Sequence, residues 1–390
     1  MEFTIFDPRM AAEQQTQLLA EPKEVDVVGI ERELVRLWKE ASEESADTLA
    51  VPVVRACALN FIVVTEREQD VQELAEMVGD VTIEHPARIF LIVADPRNTT
   101  AKLDAWISAR CSLPVPGGKQ VCCEQITLTA LGTEAPKIPS IVTSLLVPDV
   151  PSVLLWKSEV RERDPVLHAL ADVVNRVLID SSDNPAPEKT LLAWGAFLAG
   201  SGSHVTFGDL AWTHLTPWRS VVANAFNPFS MRPLLKLIET VTVEYSSSAA
   251  PRHSGLSQAW LFVSWLTEKL QWSVTRGLRT IAQGEYIATL QRDGRAIHVR
   301  IVPVQPREGR PGGIESVFLG MQGSASLHVA ATPHPHCVAL TRRSEHGVSE
   351  ELVTVLSDKS EAALVAQELE VMSRDPGYEA VVKKLMEVFA

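Results

Sequence analysis

The chain has 390 residues, 46% of them hydrophobic and 22% charged. That length exceeds the size at which one core stops growing, so two domains are expected, packed rather than disordered. A net charge of −13 repels phosphate backbones and anionic lipid, and no concentrated basic patch offsets it, which argues against nucleic-acid and membrane-surface binding.

The start, Met1-Glu2-Phe3-Thr4-Ile5-Phe6-Asp7-Pro8, lacks the basic segment and apolar core of a signal peptide. No run approaches the ~20 apolar residues of a membrane span, so a cytoplasmic chain is expected. Residues 1–45 read as an arm followed by a helix. From Ile30 to Ala41 that helix would carry Ile30, Leu34, Val35, Leu37 and Trp38 on one side.

Residues 46–190 alternate between strand and helix. Ala56 to Thr65 is a continuous apolar run that suits a strand covered on both faces. Glu68 to Val78 reads as a helix with Val71, Leu74, Ala75 and Val78 on one stripe, and Arg88 to Ala94 as a second buried strand. Lys102 to Arg110 fits a short helix or a strand. Pro114-Val115-Pro116-Gly117-Gly118 is a turn cluster, and Val121 to Ala130 alternates like a strand with one covered face. A helix from Ile138 to Leu145 and a strand from Pro151 to Lys157 follow. Asp164 as N-cap and Pro165 at the first helical position open another helix, before a strand from Arg176 to Asp180. Repeated β-α-β spacing predicts a mostly parallel sheet with flanking helices.

The texture changes near residues 185–205, where a domain boundary is expected. Glu188 to Leu198, Phe207 to Phe226 and Met231 to Ile238 read as helices, Val241 to Tyr245 as a strand, and Leu256 to Leu270 as an apolar helix. Short alternating segments from Trp272 to Leu340, such as Ile297 to Val302 after the turn Arg292-Asp293-Gly294, predict antiparallel strands. Lys359 to Arg374 and Tyr378 to Phe389 close the chain as amphipathic helices. The predicted fold class is α/β: a Rossmann-like N-terminal sheet without a nucleotide loop, then a C-terminal α+β domain over residues 191–390.

The chemistry-bearing motifs are mostly absences. No GxGxxG follows the first strand and no GxxxxGK[ST] occurs. Thr65-Glu66-Arg67-Glu68 instead puts acids where a helix start would receive a phosphate, so no nucleotide cofactor is expected. His334-Pro335-His336-Cys337 offers two histidines and a thiol but no further ligand pair, and reads as a solvated β-edge rather than a metal site. There is no GxSxG. Five cysteines without a CxxC pair are expected to be free thiols, and Cys122, beside the carboxylate of Glu124, a packed side chain rather than a nucleophile.

Two sets remain open. His85-Pro86-Ala87-Arg88 sits just before a buried strand, with Glu124 and Asp180 as candidate partners for Arg88. It reads either as a structural salt bridge or as a contact surface or anion pocket. Trp212 and Trp218 flank Leu215-Thr216-Pro217, with Arg219 next; this is either core packing or an interface hot spot.

The run Gln120-Val121-Cys122-Cys123-Glu124-Gln125-Ile126-Thr127-Leu128 puts two cysteines, a carboxylate and two amides into one strand. With His85 to Arg88, Leu145 to Pro151, Leu154-Leu155-Trp156, Arg176 to Ser182 and Asp209 to Arg219, in that order and spacing, it resembles the glucose-6-phosphate dehydrogenase assembly protein family (OpcA). The resemblance covers roughly the whole chain and is densest from His85 to Arg219. Gln120, Cys122, Glu124, Gln125, Asp149, Trp156, Asp180 and Asp209 stand at its motif positions. Where the family usually has an aromatic beside the Trp156 position, this chain has Lys157. The resemblance implies a non-catalytic cytoplasmic partner that promotes assembly of glucose-6-phosphate dehydrogenase and raises its activity, without cofactor or metal. On that reading Trp212, Trp218 and Arg219 form the partner contact, with His85 and Arg88 as a supporting polar patch. The alternative is a sugar-phosphate-binding protein or enzyme using Arg88, His85 and the sheet's carboxyl edge.

Overall fold

A computed structural model describes residues 17–47, 53–112, 120–184, 186–202, 204–247, 255–307, 312–334, 336–345, 347, 349–356 and 359–389. The turn cluster at residues 114–118 lies outside them.

The first sheet has nine strands: β1 (Gln17–Val25), β2 (Val53–Arg55), β3 (Leu59–Thr65), β4 (Ala87–Asp95), β5 (Lys102–Ser112), β6 (Gln120–Leu131), β7 (Ser152–Trp156), β8 (Arg176–Ile179) and β9 (Thr206–Asp209). Their order is β1-β5-β6-β4-β3-β7-β8-β9, with β2 beside β6. From β6 to β9 every neighbour is parallel; β1 and β5 add an antiparallel flank.

The β-branched, aromatic run of β3 is buried at all seven positions, as a strand covered on both faces requires. Alternate residues serve two cores. Ile62, Val64, Phe90 and Ile92 join the main core, together with Ile30, Leu34 and Leu37 of α1 (Ile30–Asp47). On the other face, Phe61, Val63, Ile89 and Leu91 meet α2 (Val71–Glu84) and α9 (Glu361–Glu370) through Leu74, Val78, Val365 and Leu369. The far end of the chain therefore seals the first sheet.

The remaining helices are α3 (Ile138–Leu145), α4 (Pro165–Ala171), α5 (Pro187–Gly200), α6 (Leu210–His214), α7 (Thr216–Ala225), α8 (Leu256–Lys269) and α10 (Pro376–Phe389). The second sheet contains β10 (Ile238–Ser246), β11 (Ser273–Ala282), β12 (Glu285–Arg292), β13 (Arg295–Val304), β14 (Ile314–Met321), β15 (Ser326–Ala331), β16 (Cys337–Arg343) and β17 (Ser349–Val355). Its order is β11-β12-β13-β10-β14-β15-β16-β17, antiparallel except for the β10–β13 pair. The α/β class and the mostly antiparallel second half agree with the pattern read from the sequence. At α4, Asp164 accepts from the backbone N–H groups of Val166 and Leu167, as its N-cap position requires.

Four local expectations change, and the helix-or-strand alternative at 102–110 resolves to a strand. Val35 is 66% exposed rather than on the buried stripe of α1. Residues 102–112 are a strand, paired on both sides. β6 is buried on both faces, because it lies inside the sheet between β5 and β4. Residues 207–226 are not one helix: Thr206–Asp209 extends the sheet as β9, and α6 and α7 are separate helices on either side of Leu215. A short 3-10 turn, Arg232–Leu237, replaces the helix read at 231–238. Among the described residues no helix is long and apolar enough to cross a membrane.

Candidate functional site

The motif residues separate onto the two ends of the parallel strands. At the amino end, the β4–β6 register sets Ile89 opposite Gln125, which brings Arg88 beside Glu124. Arg88 Nε donates to Glu124 Oε2 at 2.8 Å, and its Nη1 donates to Glu31 Oε1 at 2.5 Å and to the Leu145 carbonyl at 2.6 Å. Glu124 Oε1 accepts from Trp38 Nε1 at 2.5 Å and lies 2.7 Å from Arg55 Nη2. Burial opposes the Arg88 charge, but Glu124 and Glu31 outweigh it and raise its pKa. Arg88 is 4% exposed, with its donors committed to these partners. It is a structural clasp between β4, β6, α1 and the end of α3.

His85 ends α2 at the same edge, half-buried, with Nε2 buried and without a hydrogen-bond partner among the described residues. Asn60 donates to the Val147 carbonyl at 3.0 Å and accepts from Val147 N–H at 2.9 Å, pinning the loop that carries Asp149. Asp149 is exposed with φ +62°, a left-handed conformation that Asp tolerates better than most residues. His85 and Arg88 thus lie opposite the carboxyl edge, which the sugar-phosphate alternative needed them to join.

The carboxyl edge is a second charge network. Lys157 Nζ lies 2.9 Å from Glu361, 3.0 Å from Asp183 and 3.3 Å from Asp180. Its burial disfavours the cation, yet the carboxylates win and raise its pKa; Asp180, despite its own burial, is held below the ordinary range by Lys157 and Ser182. Glu66 accepts from Arg161 at 2.5 and 2.9 Å and from Arg97 at 2.6 Å. Arg67 donates to Asp70 at 2.6 Å at the start of α2, where a phosphate would otherwise sit. A cleft of about 400 Å³ opens here among Glu66, Arg67, Arg97, Lys157 and Asp183. A neighbouring one of about 360 Å³ lies among Asp180, Ser182, His214, Gln258 and Glu361. The cations lining the first are already matched to carboxylates.

Deeper in, Asp209 caps α6. Its Oδ1 accepts from Ala211 N–H at 3.0 Å and Ser181 N–H at 3.1 Å. Burial pushes its carboxyl up to about 7. The Tyr378 hydroxyl lies 3.5 Å from Asp209 Oδ2 and accepts from Trp194 Nε1 at 2.8 Å. Beside it, Arg176 and Thr213 donate to Glu368 of α9. Gly208 makes room, since a Cβ there would lie 2.6 Å from Glu368 and 2.8 Å from Arg176.

Trp212 and Trp218 are both buried. Trp212 Nε1 donates to Asp375 at 3.1 Å, and its ring is covered by the Arg219 guanidinium 3.3 Å from the centroid. Burial lowers the Arg219 pKa to about 10, which leaves it cationic at neutral pH. These indoles pack the junction of α6, α7 and α10 rather than stand on the surface. Trp156 is buried as well. Gln125 accepts from Arg110 at 2.6 Å, and Gln120, half-buried, opens β6 opposite Val53.

The cysteines correct an expectation. Cys111 and Cys122 stand directly opposite on β5 and β6, with Cα atoms 4.0 Å apart, and form a disulfide. Adjacent Cys122 and Cys123 do point apart, but pairing across a hairpin was open to Cys122. The signal was present: two cysteines bracketing a Pro-Gly turn cluster. Cys123 is buried, which pushes its thiol up to about 11, and Cys57 and Cys337 are half-buried free thiols. His334 and His336 meet edge-on with centroids 6.1 Å apart. Among the described residues no group of three His, Cys, Asp or Glu is placed to hold a metal. The residues that pattern reading missed, Lys157, Arg176, Glu361 and Glu368, acquire partners only through long-range folding.

Fold and site together define a class: a Rossmann-like sheet whose carboxyl edge carries paired charges in place of a glycine-rich phosphate loop, joined to a largely antiparallel second sheet. Residues 78–196 match the glucose-6-phosphate dehydrogenase subunit N-terminal domain, and residues 205–382 the corresponding C-terminal domain. The chain belongs to the OpcA family. It is 24% identical to an OpcA protein of Nostoc punctiforme, named for the OxPP cycle, over 78% of this chain and 65% of that protein. It is equally 24% identical to one from Synechocystis, over 77% and 62%. The chain thus spans somewhat under two thirds of these relatives' length. Among solved structures, the WlbA dehydrogenase of Thermus thermophilus aligns at 8% identity and TM-score 0.41, over 85% of this chain and 94% of that one. The myo-inositol dehydrogenase of Lactobacillus casei aligns at 10% and 0.40, over 87% and 94%.

Proposed function

We propose that this chain is a non-catalytic assembly factor and allosteric activator of glucose-6-phosphate dehydrogenase, acting in the cytoplasm by protein–protein contact within the oxidative pentose phosphate pathway. Membership of the OpcA family supports the partner. The paired charges along the carboxyl edge are the observation that supports a non-catalytic role. A sheet that held a dinucleotide would present a glycine-made gap at the start of α2. Here Asp70, Arg67, Glu66 and Arg161 occupy that place and satisfy one another.

An activator of this kind binds one state of the dehydrogenase more tightly than another and shifts their populations. A tenfold preference supplies ~1.4 kcal/mol, enough for a clear change in apparent affinity. The test is dehydrogenase turnover across a glucose 6-phosphate titration, with and without equimolar chain. A lower KM or higher kcat, with co-elution of the two proteins, is expected. Unchanged kinetics together with separate elution would end this reading.

A further inference from the structure

Among the described residues the second sheet is covered on one side. α8 packs on β10 and β14, α7 on β15, and α10 on β11. Inward residues such as Val243, Leu290, Val299 and Leu319 are buried there. The opposite face stands open among the described residues. Strand register lays Arg279, Ile287, Arg300, Thr242, Phe318 and His328 in one row across it. Arg279, Arg300, Phe318 and His328 in that row are exposed.

The face has three zones. Its floor is made of small side chains, including Thr240, Thr242, Ser316, Gly320 and Ala330, which a partner surface can approach closely. One flank is cationic, with Arg276, Arg279 and Arg300. The other is apolar, with Phe318 37% exposed, Val353 59% and Val355 72%. In a chain of net charge −13, the face carries Arg276, Arg279, Arg300 and Arg343 against only Glu244, Glu285 and Glu351. Glu285 and Arg300 bridge each other at 2.5 Å and cancel, Glu244 accepts from Ser316 at 2.7 Å, and Arg276 and Arg279 carry the charge of that flank.

Its extent also fits. Eight strands spaced ~4.8 Å apart, each about eight residues at ~3.3 Å, span roughly 900 Å². A standard specific interface buries about 800 Å² on each partner, with arginine and aromatic side chains enriched in its centre.

We propose that this open face is the surface with which the chain grips the dehydrogenase, and that it meets there a patch that is acidic beside an apolar strip. The inference rests on the partner reading above. It places the contact away from Trp212 and Trp218, which are consumed in the core.

The test measures dissociation constants for the purified dehydrogenase with the wild-type chain and two double variants, Phe318→Glu with Val353→Glu and Arg276→Glu with Arg279→Glu. All four positions are exposed, so both variants should melt as the wild type does. Each is expected to weaken binding at least tenfold, and the arginine pair also to flatten its salt dependence. Wild-type binding in both variants would overturn the inference and leave the partner reading standing. So would light scattering that shows a wild-type dimer and variant monomers, with dehydrogenase binding intact, because the face would then join two copies of this chain. Failure of the wild type itself to bind or activate would remove the partner reading and this inference with it.

Discussion

The two ends of the parallel sheet both bury ion pairs, but they draw on different parts of the chain. At the amino end, Arg88 and Glu124 are neighbours on adjacent strands, and their further partners, Glu31, Trp38 and Leu145, all come from the first half. At the carboxyl end, Lys157 holds Asp180 and Asp183 and reaches Glu361 on α9, near the other terminus. From the start of β8, on the face that α9 covers, Arg176 also reaches α9 through Glu368. The first network stabilises a sheet; the second ties the returning end of the chain onto it. It is also the second that lies beside the two clefts of the carboxyl edge.

Breaking each clasp separately tests this contrast. The largest effect is expected at the amino end. Arg88→Met strands Glu124, only 3% exposed, without its main counter-charge, and should cost about 3–5 kcal/mol in urea unfolding. A loss below ~1 kcal/mol would show that Trp38 and Arg55 suffice to hold the carboxylate. Lys157→Met should cost somewhat less, about 3 kcal/mol, because the carboxylates it leaves are nearer to water. Its signature is regional: amide exchange should accelerate in residues 361–370 and stay unchanged in 30–47, with Arg88→Met giving the reverse. Equal acceleration of both segments in both variants would erase the distinction between the clasps.

Asp209 sharpens the comparison through pH. Its carboxyl titrates near 4 when unfolded and near 7 when folded, so between those values the folded chain binds the extra proton. Its contribution to stability is greatest below about pH 4, falls by at most ~1.4 kcal/mol per pH unit up to about 7, and is flat above. Asp209→Asn keeps the acceptor for Ala211 and Ser181 but not the titration. The stability difference between variant and wild type should therefore move in the variant's favour from pH 4 to 7. A difference that does not vary with pH would mean that Asp209 ionises normally. The smallest effect is expected at Arg219→Met, where loss of the cation over Trp212 should cost about 1 kcal/mol and alter tryptophan emission.

Much of the first sheet was legible in order. The apolar runs of β3 and β4 state that both faces are covered, and the Asp164-Pro165 pair marks a helix start, because backbone preference and local capping act within a few residues. The Arg88–Glu124 pairing was among the partners the sequence offered, since both lie on neighbouring strands. β9 was not legible: a strand of four residues is too short for a period, and the edge of β8 makes it one.

By itself, then, the sequence determined the alternation of elements, the missing phosphate loop and the family motifs, all of which are written in adjacent residues. Only the tertiary structure decided that Trp212 and Trp218 are buried, that Cys122 bonds Cys111, that Lys157 sits among three carboxylates, and that among the described residues one face of the second sheet is left open. The physical reason is common to all four. Burial, pairing and exposure depend on which segment packs against a residue; for Trp212 and Lys157 that segment is the returning end of the chain, through Asp375, Tyr378 and Glu361.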